Sequence, residues 1–202
     1  MAACRAIVVV GLLLLVGLAP LQALAAGEDP DWPCVQRLVP QIAPAAIWSG
    51  PPVATAAEAS DPEVDALAAD LAVRRVPLDE AAAMVEAFAQ QLDPTEQAAS
   101  LTLLFARSLD IINRDRSSII EGIRKFSRGQ RALADRIADA NSELRALPVD
   151  SVLERDALVM QRDWDARIFD ERRASLTYLC EQPVLLDQRA FALARAIAGH
   201  LE

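Results

Sequence analysis

FARSLDIINRDRSSIIEGIRKFSRGQRALADRIADANSELRAL, residues 105–147, decides the fold. It contains no proline. Stepping alternately four and three from Phe105 lands on Leu109, Ile112, Arg116, Ile119, Ile123, Phe126, Gln130, Leu133, Ile137, Ala140, Leu144 and Leu147. Eleven of these thirteen positions are apolar. A 3.5-residue repeat held over about six heptads is the seam of a coiled coil, narrower and longer than the stripe of an ordinary amphipathic helix. At about 1.5 Å per residue the seam runs about 65 Å. Arg116 and Gln130 interrupt it, and polar seam residues can fix register or oligomer state.

Downstream, Pro148 ends the helix and Ser151 with Glu154 forms a capping box for the next. The following stretch, VLERDALVMQRDWDARIFDERRASLTYLC, lacks glycine and proline, and its apolar residues are more loosely spaced: Leu153, Ala157, Met160, Trp164, Ile168, Leu176 and Leu179. The connection is short, so the two helices should fold back antiparallel. Positions summing to about 299 then face each other, which pairs Arg136 with Asp163 and Arg128 with Glu171. Upstream, Asp93, Pro94 and Glu96 read as a helix start. The hairpin is therefore expected over about 94–147 and 151–181, with Pro183 restarting a C-terminal helix over 183–201.

Two shorter helices precede the hairpin. One opens at Asp61 and Pro62 and ends near Arg75; the other starts at Leu78 and carries Met84, Val85 and Phe88. Residues 61–202 thus read as one helical domain. Residues 26–60 differ, with six prolines and the pair Trp32 and Trp48. Proline disfavours helix there. Trp32, Val35, Leu38, Val39, Ile42, Ile47 and Trp48 are too apolar for a solvated linker, so this segment is expected to lie along the helices as an extended arm. The fold class is all-α: a long antiparallel coiled-coil-like helical hairpin with two shorter helices and an extended N-terminal arm.

Residues 1–25 have the order of a secretory signal: Arg5, an apolar run to Ala19, then Ala23 and Ala25 at small-x-small spacing. The run of about 14 residues is shorter than the roughly 20 that cross a bilayer, so a cleavable signal and a periplasmic protein are expected, with no stable membrane insertion once it is removed. Removal takes Arg5 and no acid, moving the net charge from −9 to about −10. That balance argues against nucleic-acid binding, which needs a basic surface. Of the three cysteines, Cys4 leaves with the leader. Cys34 and Cys180 remain, and an oxidising compartment makes them a structural disulfide.

Catalytic patterns are weak. The one histidine, His200, is third from the end, so no serine or cysteine triad of the usual kind is present, and neither a zinc-spaced His/Cys cluster nor a glycine-rich phosphate loop occurs. No catalytic, metal or cofactor residue is assigned, and no enzyme is expected. The local features are a basic run over 113–136 and two helix-interior glycines, Gly122 and Gly129. The run, with Arg124 and Arg128, could meet an acidic partner or lipid headgroups, or pair with Asp163, Asp165, Asp170 and Glu171 across the hairpin; the pairing is favoured. Each glycine costs about 1 kcal/mol against alanine, which close packing by the arm would explain and a groove or hinge would use.

DWPCVQRLVP at 31–40, Trp48-Ser49-Gly50-Pro51 and YLCEQP at 178–183, around a helical hairpin, resemble secreted proteins of Gram-negative bacteria with an N-terminal DWPC-type motif. The resemblance implies the compartment and disulfide, and no activity. The functional expectation is a non-enzymatic periplasmic interaction or assembly-accessory protein that uses its hairpin as a docking surface for a protein partner, with homo-oligomerisation through the helices also open. A ligand-binding or sensor bundle, which a pocket beside Gly122 and Gly129 would favour, is the alternative. A thiol-disulfide protein comes third.

Overall fold

The structure is a computed structural model that describes residues 29–53 and 60–201. The expected leader, 1–25, and parts of the arm, 26–28 and 54–59, lie outside these. Among the described residues run the helices α1 (Pro44–Ile47), α2 (Pro62–Ala72), α3 (Leu78–Ala89), α4 (Gln97–Ala146) and α5 (Val152–Ala198). No strand is present among the described residues. The chain is an all-α helical hairpin with its two shorter helices packed at one end.

Asp61 caps α2, its carboxylate accepting from the backbone N–H of Glu63 and Val64, and Pro62 opens the first turn. Val64, Ala68, Leu71 and Ala72 then share one buried face, as do Ala81, Val85, Phe88 and Ala89 of α3, at helical spacing. α2 packs on α4 and α3 on α5. With Leu101, Leu104, Phe105, Leu186, Leu193 and Ile197 they make the core of a four-helix base. Arg107 ties α4 to Asp65 of α2 at 3.0 Å. Buried Arg189 donates from Nε to Leu71 O (2.6 Å) and from Nη1 to Val76 O (2.8 Å), holding the end of α2 and the turn after it against α5. Beyond Ile112, α4 and α5 leave this core as a two-helix stalk.

Every position of the α4 ladder is buried or half-buried. The helix starts at Gln97 rather than Pro94, because Asp93 is taken up in a local turn, accepting from the N–H of Thr95 at 2.8 Å and its hydroxyl at 2.6 Å. Ser151 makes no side-chain cap. The hairpin end is closed instead by Arg155, which donates to Leu144 O (3.0 Å) and Leu147 O (3.3 Å), the orphan carbonyls at the end of α4. Pro183 does not divide α5, which is one helix from 152 to 198. A proline removes one helical hydrogen bond, and here Pro183 is buried in the protein interior, between helical segments that packing holds on both sides.

The arm runs antiparallel to α4. Trp48 stacks on Phe105, with centroids 4.1 Å apart and planes 5° off parallel. Ile42 is buried, and its backbone exchanges two hydrogen bonds with the Asn113 amide, 2.8 and 3.0 Å. Val39 O accepts from Arg116, and Cys34 is bonded to Cys180. Asp29 and Asp31 reach Arg124, Arg128 and Arg131. Not every expected anchor is used: Val35 is fully exposed and Val39 is 43% exposed, while Trp32 is half-buried and donates to Gln36 O at 2.7 Å.

Candidate interaction surface

The arm decides which charges remain available. Asp31 makes a 2.7 Å ion pair with Arg128 and a second with Arg131, and these two hold its carboxyl below the usual range. Asp29 lies below it too, chiefly through the N–H of Asp31 and then through Arg124 at 2.7 Å. Glu121 adds a contact to Arg128 at 2.9 Å. The expected cross-hairpin pairing thus fails for Arg124, Arg128 and Arg131, because the arm's own acids reach them. It holds for Arg136, which meets Asp165 at 2.8 Å rather than Asp163, two residues further along α5. Arg116 likewise does not set the register between helices alone: it joins Asp187 of α5 at 2.7 Å to the arm carbonyl of Val39. Gln130 donates to Phe169 O at 3.1 Å, and these residues sum to the expected 299.

Gly122 and Gly129 do not form a groove with these arginines. A Cβ on Gly122 would meet nothing within 4 Å, and one on Gly129 would sit 3.7 Å from Arg172 Nη1. The close packing invoked to explain them is missing. An open cavity of about 350 Å³ lies instead at the far end of the molecule, lined by Ser49, Gly50, Pro51, Ala98, Ala198 and Leu201. Only Ser49 among those side chains is polar.

The largest departure from expectation is the rotation of α5. Leu153, Ala157, Met160 and Trp164, the first four of the loosely spaced apolar series, face solvent and not α4; Leu153 is 85% exposed, Met160 69% and Trp164 62%. Ile168, Leu176 and Leu179 are half-buried. The distal face toward α4 is drawn from Arg155, Leu158, Val159, Arg162, Asp165 and Phe169. The reason is polar: Arg155 must reach the carbonyls ending α4, Asp165 must reach Arg136, and Phe169 O must accept from Gln130. Those bonds fix the rotation and turn the larger apolar residues outward. Continued at the same spacing, the outward stripe passes Arg167 and Glu171 and resumes at Ala174 and Tyr178, the latter 65% exposed.

Asp156, Asp163 and Asp170 follow one another at intervals of seven along one edge of this stripe, and all are exposed. Asp163 is bound to its helical neighbour Arg162 at 2.6 Å; Asp156 and Asp170 make no ion pair among the described residues. The opposite edge carries Glu154, Gln161 and Ser175. Sequence reading missed this surface, although the loose apolar spacing of α5 was its signal.

No helix of the described residues is long and apolar enough to cross a membrane. Set against known protein families, curated proteins and solved structures, the chain matches none.

Proposed function

We propose that the protein is a non-enzymatic periplasmic interaction or assembly-accessory module that docks a protein partner on the distal half of its hairpin. The observation that carries this reading is the outward stripe Leu153–Ala157–Met160–Trp164. Single exposed apolar side chains are ordinary, but a row of them at helical spacing forms a contiguous patch, and such patches mark interaction sites. The base and the arm supply a rigid support for it, and the leader pattern and the Cys34–Cys180 bond suit export.

Site-specific photocrosslinking tests the reading. Benzoylphenylalanine placed at Leu153, Met160 or Trp164 in the native cells should give a discrete adduct, and at Lys125 or Ser118, exposed on α4, it should not. Adducts of equal yield at all five positions, or none at the stripe, would refute it.

A further inference from the structure

We infer that the occupant of the α5 stripe is a foreign amphipathic helix whose apolar face is edged by lysine or arginine, and not a second copy of this chain. The inference rests on the docking reading above and adds the partner's chemistry.

Geometry sets the partner's shape. Leu153 to Trp164 spans about 17 Å of helix, and Leu153 to Tyr178 about 38 Å. A straight ridge at alternating four-three spacing is matched by another helix of about three to seven turns. Apolar cover alone does not suffice. The gain from burying Leu153, Met160 and Trp164 is offset by the rotational and translational freedom lost on association. The polar edge must therefore supply orientation and encounter rate.

That edge is acidic, and symmetry decides what can meet it. A two-fold dimer brings the same patch against itself. If two α5 helices pair antiparallel, a two-fold axis perpendicular to them keeps the acidic edges on the same side. Centring the pair beside Met160 then sets Asp156 against Asp163 of the other copy. Centring it beside Arg167 sets Asp163 against Asp170, with two copies of Arg167 among four aspartates. If the helices pair in parallel, the acidic row meets the opposite edge, where Glu154, Gln161 and Ser175 offer no cation. Arg162 and Arg167 offset part of the row, but no symmetric pairing neutralises all of it, and the chain's net charge of −9 adds repulsion at longer range. A foreign helix with basic residues seven apart on one edge matches both ridge and row. An anionic lipid surface does not, because the row repels it.

The test uses the full-length oxidised protein and two fluorescein-labelled synthetic helices of three heptads, with leucine at the seam positions and either lysine or glutamate along the edges. Anisotropy should show the lysine peptide binding at least ten-fold tighter than the glutamate peptide, with the gap narrowing as salt rises. Replacing Asp156, Asp163 and Asp170 by lysine should invert the preference. The same triple change at Asp79, Glu80 and Glu86 on α3 should leave the lysine peptide the tighter binder, which separates the edge from overall charge. Trp164→Ser should weaken the lysine peptide at least five-fold with an unchanged melting curve. Equal binding of both peptides, lost together in Trp164→Ser, would overturn the charge assignment and leave the docking reading standing. Binding of neither peptide would overturn the helical partner. A dimer seen by sedimentation and dissolved by Trp164→Ser would replace it with a second copy. Uptake by phosphatidylglycerol vesicles that Trp164→Ser abolishes would replace it with a lipid surface.

Discussion

Replacing both Cys34 and Cys180 by serine removes the only covalent tie between arm and stalk among the described residues, and its effect can be worked from the separation of the two residues. The bond closes a loop of 146 residues. Chain entropy assigns such a closure about 5 kcal/mol, felt in the unfolded state. A domain of this size loses about 2–4 °C of melting temperature per kcal/mol, so the double variant should melt about 10–20 °C lower, as should the native protein in a phosphine reductant. The structure also predicts where protection is lost. From Ile42 to Trp48 the arm is held by a buried isoleucine, the paired Asn113 bonds and the Trp48–Phe105 stack. From Asp29 to Cys34 it is held by ion pairs at the surface, which are weak where water competes. Calorimetry gives the midpoints, and amide hydrogen exchange gives the protection of each half. The expected result is a large fall in midpoint with exchange accelerated over 29–37 and nearly unchanged at 42–48. Midpoints within about 2 °C would refute the entropic argument, and loss of protection over the whole arm at once would refute its division into two halves.

Ile123→Ala, at 1% exposure on the ladder, should cost about 2–5 kcal/mol, whereas Leu153→Ala should stay within about 0.5 kcal/mol; chemical denaturation of both checks the rotation of α5. Gly122→Ala should stabilise by up to about 1 kcal/mol, since its Cβ enters open space, while Gly50→Ala should destabilise, because its Cβ would stand 2.4 Å from the Trp48 ring and 2.5 Å from Leu201. The depressed carboxyls of Asp29 and Asp31 contribute to docking above their unfolded pKa of about 3.9, and that contribution is lost as pH falls through their lower native values. In the disulfide-free variant, arm contacts at 29–34 followed by NMR should therefore hold from pH 7 to about 4 and fade below, while the Ile42–Asn113 pair, which has no ionisable group, should not follow that titration.

The ladder from Phe105 to Leu147 could be read from sequence because a long neighbour demands a strict period, and α4 has one on its α5 side. Ile120 and Ser127 are also buried on α4 but lie off this ladder. The arm that runs along α4 makes contacts that follow its own prolines and carbonyls and impose no helical repeat. For the same reason the basic run looked like one side of a helix–helix charge pattern when three of its seven basic residues, Arg124, Arg128 and Arg131, answer to Asp29 and Asp31. On α5 the apolar residues suggested one rotation and the hydrogen-bonding residues Arg155 and Asp165 required another. Hydrophobic period alone could not show that the polar set wins, so the candidate surface appeared only with the structure. Pro183 and the start signal at Asp93 and Pro94 misled on boundaries, since each is a local preference that tertiary packing or a neighbouring donor can override, whereas Ser151 marked the start of α5 correctly without supplying a side-chain cap.

The direction of the arm has a practical meaning. It enters the base at Trp48 and climbs the stalk, so Asp29 lies beside Arg124, about 35 Å of helix short of Leu147. The other end, at Leu201, lies in the base against Gly50. The two ends of the described chain thus mark two levels of one rod, one midway along the stalk and one at the base. A dye attached just before Asp29 would report on whatever approaches the middle of the stalk, and a dye after Leu201 would serve as a fixed reference at the root.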